Sequence, residues 1–425
     1  MGVNHRGESV MLNKLKTLFS KTTKEVQPFS TDFTIDEFRQ EFFAVLEPLK
    51  PDSQYSYNQD TQTINEKNNE VDGLKIYLGN LFNKTKNMSV EERRKYIEHF
   101  LNESMNTETV SLNLVQERMF YRLRTEAELS NREIYLRSAE NDSQKFVSGS
   151  VGELKLELVI DQETTIRTPT SKMLTELGIT DKDLFEIAYK NMIKISQNNG
   201  WTLIENNIWQ SNYQDDYDGA RLVSLYPETK LPFSGSPIAF MPSHSVCLIT
   251  TEENTDALKT MIDIGNELAV DHRPLTHKLW TFKNGGWVPL TLTMENPAYA
   301  LAARQNLIDS SRWYAEQKEI LENNFERDQL DIFVASFQAI ENEEKDLFSY
   351  SVLSFGVNTL LPRTDKVFFV DDNQPKDTNV LGSLDWTDFL NVLGRDRFKI
   401  YENLSPIRYD FILSLIHISE PTRPY

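Results

Sequence analysis

The sequence predicts an α+β fold, with antiparallel or mixed sheets and packed helices arranged as two or three subdomains. Some segments place apolar residues at helical spacing behind a capping residue, whereas others alternate apolar and charged residues with a period of two. The two kinds are mixed without the strict strand–helix alternation that builds a parallel sheet. Of the 425 residues, 39% are hydrophobic and 26% charged, enough apolar side chain for sizeable cores.

Residues 1–33 predict a tail or a short amphipathic helix. From Met11, the residues Leu12, Leu15, Leu18 and Phe19 recur at helical spacing among Lys14, Lys16, Lys21 and Lys24. A docking or frayed terminal helix is favoured over contact with a membrane surface through residues 11–24. Residues 34–137 predict a small α+β subdomain. Thr34-Ile35-Asp36-Glu37 is a capping-box pattern, and Phe38, Phe42, Val45 and Leu46 then form one apolar face that ends before Pro48. Alternating segments at 55–57, 61–64 and 74–78, separated by turn-forming residues, predict an antiparallel meander. Ser89-Val90-Glu91-Glu92 caps the next helix, with Ile97, Phe100 and Leu101 inward. From Met119 to Leu136 apolar and charged residues alternate, which predicts a half-buried strand with one wet face. Leu154-Lys155-Leu156-Glu157-Leu158 repeats the pattern. The polar stretch 138–152 between them predicts a boundary or mobile loop.

Residues 151–292 predict the central α+β domain. Thr180 caps a helix carrying Leu184, Ile187, Ala188, Met192 and Ile195, and a short strand follows at 201–204. Segments 238–241 and 245–250 predict buried strands around a break at Pro242. Leu258, Met261, Ile262, Gly265 and Leu268 predict another amphipathic helix. Segments 279–282 and 287–290 flank Lys283-Asn284-Gly285-Gly286, a strong hairpin signal. Residues 297–412 predict a second α+β unit with a helix at 311–325, strands at 332–340, 347–353 and 366–370, and a short helix at 386–393. From Leu413 to Arg423 the chain matches, residue for residue, the translation of a sequencing-library transposon adapter. Residues 413–425 are therefore expected to be an artefact that truncates this unit.

Five features between Ile179 and Leu290 recur together: the capped helix, the acidic turn Asp215-Asp216-Tyr217-Asp218-Gly219-Ala220-Arg221, the apolar run entered through Pro242-Ser243-His244, the second helix and the Trp-flanked hairpin. In order and spacing they resemble the YtpQ-like family of bacterial proteins, a domain family of unknown function. The N-terminal pattern extends the resemblance to residues 34–290. The Tyr-Asp-x-x-Arg pattern matches at Tyr217, Asp218 and Arg221, and the Pro-x-His pattern at Pro242 and His244. The resemblance locates these residues and implies no reaction for them.

The chain is acidic, with a net charge of −19 from 64 acidic and 45 basic side chains. A field of that sign repels phosphate backbones, and no basic patch is visible along the body of the chain, so no nucleic-acid partner is expected. Cys247 is the single cysteine, which excludes an intramolecular disulfide and a multi-Cys zinc site. With no signal peptide and no apolar run near the roughly 18 residues a membrane span requires, a cytoplasmic protein is expected. The P-loop, G-x-G-x-x-G, H-E-x-x-H and G-x-S-x-G patterns are missing, and neither a cofactor nor a metal is expected.

The acidic turn fails as a calcium loop, because Gln214 and Leu225 stand where carboxylates are required. A helix N-terminus, with Arg221 pairing with Asp218, is favoured over metal binding. His244 is a possible general base, and Cys247, three residues on along a strand, faces the other way. His272 and His277 flank Pro274 without helical metal spacing, and Asp371-Asp372 reads as a solvated turn. The leading expectation is a non-catalytic binding protein with a protein or small-ligand partner. Its recognition groove would be built from Tyr217, Asp218, Arg221, His244, Trp280 and Trp287. The alternative is an enzyme using His244 as base, Asp218 to orient it and Arg221 to hold an anionic substrate.

Overall fold

A computed structural model of the chain describes residues 33–59, 62–66, 75–105, 110–137, 146–197, 200–213, 215–228, 230–270, 273–341, 347–375, 378–394 and 398–412. The expected amphipathic segment at 11–24, the expected adapter segment at 413–425 and His272 lie outside these residues.

The N-terminal unit forms as its capping signals dictate. Thr34 and Glu37 exchange hydrogen bonds at the start of α1 (Ile35–Leu49), whose buried face is Phe38, Phe42, Val45 and Leu46. The helix passes through Pro48 rather than ending before it. The proline sits in the last turn, and the Lys50 N–H still reaches the Leu46 carbonyl at 3.2 Å. Strands β1 (Tyr55–Asn58), β2 (Thr63–Glu66) and β3 (Lys75–Tyr77) make the expected antiparallel meander. Helices α2 (Leu78–Thr85) and α3 (Val90–Met105) follow, and Ile64, Leu78, Ile97 and Leu101 complete the core.

Helix α4 (Leu112–Arg118) leads into β4 (Met119–Thr125), and there the alternating segment departs from expectation. Residues beyond Thr125 form helix α5 (Glu126–Arg137) instead of continuing the strand. Glu126-Ala127-Glu128-Leu129 are strong helix formers, and the Thr125 hydroxyl caps the Glu128 N–H at 3.2 Å. Strand β4 pairs antiparallel with β6 (Leu154–Asp161). Strands β5 (Ser148–Val151) and β7 (Ile166–Arg167) also pair with β6. This one sheet therefore runs across the expected boundary at 138–152, and its supposed wet face is covered: Arg124 is 5% and Glu157 0% exposed.

Helices α6 (Ser171–Glu176) and α7 (Asp181–Ile195) lead to a six-stranded antiparallel sheet. Its strands are β8 (Trp201–Glu205), β9 (Ile208–Ser211), β10 (Pro237–Ser243), β11 (Val246–Thr251), β12 (Leu279–Lys283) and β13 (Gly286–Pro289), in the order β13-β12-β10-β11-β9-β8. Helix α8 (Asp218–Leu225) shares a core with Ala239, Met241, Cys247 and Ile249. Helix α9 (Leu258–Ala269) packs with Ile238, Phe240, Val246 and Leu248. Both faces of β10 and β11 are thus buried, which is why these strands read as continuous apolar runs. Pro242 does not break β10; it lies at a register shift between Phe240 and Ser243. Asn284 and Gly285 both take positive φ (53° and 81°), as the tight β12–β13 turn requires.

Helix α10 (Tyr299–Arg327) is 29 residues long, starting well before the expected 311, because Ala-Leu-Ala-Ala-Arg-Gln extends the favourable helical sequence. Beyond it lie β14 (Phe333–Val334), β15 (Gln338–Glu341), β16 (Leu347–Ser354), β17 (Asn358–Pro362), β18 (Lys366–Val370), β19 (Val380–Asp385), α11 (Trp386–Leu393), β20 (Lys399–Ile400) and β21 (Arg408–Ile412). They form two four-stranded sheets, β14-β17-β21-β20 and β15-β16-β18-β19, around Leu353, Leu361, Val367, Phe389 and Phe411. Arg408, fully buried, ties this unit to α10 by donating to Gln317 Oε1 (2.6 Å) and to the Ala335 (2.7 Å) and Tyr314 (3.1 Å) carbonyls. The architecture is α+β, and among the described residues no helix is long and apolar enough to cross a membrane.

Gly152 joins the two central sheets. It has φ +71°, forms a bridge with Trp287, and a Cβ there would fall 2.1 Å from the Trp287 carbonyl oxygen. Gly152→Ala is expected to destabilise the protein by about 2 kcal/mol. Urea denaturation of both proteins checks this; an unchanged midpoint would show that the contact yields.

Candidate functional site

The acidic turn is the start of α8, and its side chains are committed to one another. Arg221 points back along its helix and meets Asp215 in a two-pronged ion pair, Nη2 to Oδ2 at 2.6 Å and Nη1 to Oδ1 at 3.1 Å. Its Nε donates to Ser196 Oγ at 2.8 Å, and its guanidinium lies over the Tyr213 ring at 3.7 Å. The expected Arg221–Asp218 pair does not form, since Asp215, in the turn before the helix, lies in the direction a helical side chain leans. Arg221, 3% exposed and fully engaged, is not available for an anionic substrate.

Asp218 accepts a hydrogen bond from the Ser211 hydroxyl through Oδ1, while its buried Oδ2 has no partner. Burial pushes its carboxyl up to about 7, the Ser211 bond opposing and the Asp215 charge reinforcing the rise. Asp216 accepts from Ser245 Oγ at 2.8 Å, which places the turn beside the β10–β11 hairpin and so beside His244. Tyr217 is buried against Phe120, ring centroids 5.3 Å apart, and burial raises its hydroxyl pKa.

His244 occupies the β10–β11 turn, 3% exposed, with a buried Nε2 that has no hydrogen-bond partner. Burial, and then the nearby guanidiniums of Arg122, Arg273, Arg124 and Arg312, hold its imidazole well below the usual histidine pKa. Asp218 does not bond to it. The carboxyl belongs instead to the α8 face of the sheet, near Cys247, whose thiol is pushed well up by burial first and by the Asp218 charge second. The expected base–orienter pair is therefore not assembled. Trp280 and Trp287 are 4% and 0% exposed, the latter ring packed on Tyr226 and Phe282. All six expected groove residues are buried, so the fold brings the turn near His244 but closes the surface they were to form.

Two arrangements escape sequence reading because their parts lie far apart in the chain. The first is an ionic network. Glu157 pairs with Arg124 (2.9 Å to Nε) and Arg132, and Glu128 pairs with Arg124 and with Arg273 (2.9 Å). This network assembles the basic cluster that no contiguous segment displays. The second is His277, whose Nδ1 lies 2.8 Å from Asp309 Oδ1 on α10. The other carboxylate oxygen accepts the His277 N–H at 2.9 Å and the Thr276 hydroxyl at 2.8 Å. His277 lines a cleft of ≈ 360 Å³ between α9 and α10, with Pro242, Asn266, Pro274, Gln305 and Ile308. A histidine followed along the chain by an aspartate is too common a signal to find such a pair. Among the described residues, no group of three or more His, Cys, Asp or Glu side chains is placed to hold a metal.

An α+β protein with a buried ionic network beside a small cleft is the class this geometry defines. Its sequence relatives carry the name UPF0354 protein, an uncharacterised family, and are distant homologues. Over 164 residues the chain is 22% identical to a UPF0354 protein of Bacillus cereus (strain AH187) and to one of Bacillus anthracis. It is 21% identical to one of Bacillus thuringiensis (strain Al Hakam). In each case the match covers 38% of this chain and 61% of the relative, so the chain spans less than two thirds of the curated relatives it matches. No family model and no solved structure matches.

Because the folded state holds Asp218 above its unfolded value, the stability it contributes is complete below about pH 4 and is lost as pH rises through about 7. Asp218→Asn removes that loss and is expected to be more stable than the parent by roughly 2–4 kcal/mol at pH 8, with no gain at pH 4. Thermal melts of both proteins across this range check the sign; a parallel offset at all pH values would contradict it.

Proposed function

We propose that this chain is a non-catalytic binding protein of YtpQ-like type, acting in the bacterial cytoplasm and taking a small polar ligand in the cleft between α9 and α10. The observation that carries this reading is the fixing of His277 by Asp309, which orients one ring edge and leaves the other for a ligand. The buried Gln305 Oε1 has no partner, a vacant acceptor beside the same cleft. The volume of ≈ 360 Å³ falls at the lower end of small-molecule sites, about 300–1,000 Å³.

The same Asp309–His277 pair favours one second reading. A carboxylate on Nδ1 is the usual way to orient a histidine general base, so an enzyme centred on His277 replaces the one centred on His244.

Native mass spectrometry of the purified full chain tests the proposal. A small-molecule adduct is expected on the parent and is expected to disappear in Gln305→Leu while the melting temperature stays within a few degrees. A parent without an adduct, or an adduct that survives the substitution, overturns the reading. Turnover of the retained compound by the parent and not by His277→Gln would establish the enzyme instead.

A further inference from the structure

Arg122 is placed where a guanidinium should be paired and is not. It projects from β4 opposite Glu157 in the β4–β6 register, the position from which a cross-strand ion pair would form. Both oxygens of Glu157 are already taken by Arg124 and Arg132, and Glu128 is shared by Arg124 and Arg273. Asp216 is turned to Ser245. Among the described residues the Arg122 side chain forms neither a hydrogen bond nor an ion pair, and its Nε is sealed from solvent. The residue as a whole keeps partial exposure.

A second set of unmet polar atoms lies on a neighbouring segment: Arg124, two residues along β4, shares Glu128 with Arg273, and the adjoining Pro274 bridges Ser243. His244 Nε2 and Ser243 Oγ at the β10–β11 turn are buried without partners. Arg273 and Arg312 bring further positive charge toward the same imidazole. A buried cation beside buried polar atoms that have no partner is costly unless something supplies the missing hydrogen bonds. The required chemistry is specific: two or more oxygens, negative charge, and a shape the planar guanidinium fork can grip.

We propose that Arg122 and His244 form a binding site for a small oxyanion, a carboxylate or phosphate group, with Arg273 reinforcing its charge. The site draws on β4, the β10–β11 turn and the segment before β12, and it does not depend on the His277 cleft. In support, burial and the neighbouring Arg124 and Arg273 pull Arg122 down to about 9, a strain an anion would relieve. His244, kept neutral, can donate from Nε2 in the matching tautomer. The overall charge of −19 means that anions are drawn here by local fit and not by the field of the molecule.

The test uses the full chain, with thermal melts and isothermal titration calorimetry at constant ionic strength. Inorganic phosphate, succinate and potassium chloride are the three probes. Phosphate or succinate, and not chloride, is expected to raise the melting temperature, and the more effective of the two identifies the source of the oxyanion. Arg122→Met is expected to lose at least about tenfold in affinity. Its ligand-free melting temperature should match or exceed that of the parent, since an uncompensated charge is gone. Arg122→Lys keeps the charge and loses the fork, and should also bind at least about tenfold more weakly, which covers a Met variant that fails to fold. No response to either oxyanion, or binding unchanged in Arg122→Lys, overturns the proposal.

Discussion

Glu157 is the group around which the described structure is organised. It sits in the middle strand of the β4–β6–β5 sheet with no solvent exposure, a position a carboxylate tolerates only when its charge and both oxygens are satisfied. Arg124 from the neighbouring strand and Arg132 from α5 meet that requirement. Arg124 then shares Glu128 with Arg273, which precedes β12 of the six-stranded sheet. One buried charge thus sets the position of α5 over its own sheet and ties that sheet to the next. The same arrangement occupies both oxygens of Glu157 and engages Glu128 twice, and the Arg122 side chain has no ion pair among the described residues.

The six-stranded sheet separates structure from chemistry. On its α8 side the charged groups are engaged with neighbours: Arg221 with Asp215, Ser196 and Tyr213, Asp216 with Ser245, and one oxygen of Asp218 with Ser211. That side is a locked support, and Asp218 records the cost in its raised pKa. The end of β10 is irregular. The bulge at Pro242 redirects the backbone, so that the Pro242 and Met241 carbonyls accept from Leu275 and Thr276 rather than from a regular strand partner. His244 and His277 are presented by these irregular segments, one toward the arginines and the other toward the cleft. Buried polar atoms without partners occur in both places, Asp218 Oδ2 at the acidic turn and Ser243 Oγ and His244 Nε2 at this end of the sheet.

The C-terminal unit is attached by a comparable device. Arg408, completely buried, satisfies its guanidinium with carbonyls of β17, Ala335 and α10 and with the Gln317 side chain, and meets no carboxylate. Burial pulls it down to about 10. Together with the Asn131 bond to the Trp313 carbonyl at 3.2 Å, it makes α10 the shared element between the central and C-terminal sheets. Helix α10 also carries Asp309, Gln305 and Arg312, so the element that joins the units also lines the cleft and approaches the basic cluster.

Local patterning by itself determined the α+β class and most element identities. The Thr34 capping box, the Thr180 cap, the Asn284-Gly285 turn and the helix over 386–393 are short-range devices whose physics is complete within a few residues. The resemblance located the Tyr217–Arg221 turn and His244 in the sequence, and a hydrogen bond from Ser245 to Asp216 joins the two segments. Local patterning failed where a pattern was shared by two structures, as at Glu126–Arg137, where alternation implied strand and helix-forming composition prevailed. Only the tertiary structure decided which charged residues were free. Whether Arg221 or Arg122 keeps an open guanidinium depends on carboxylates brought in from other elements, as Asp309 is brought to His277. Charge pairing acts over a few ångströms in space and is indifferent to distance along the chain, so no window of sequence contains it.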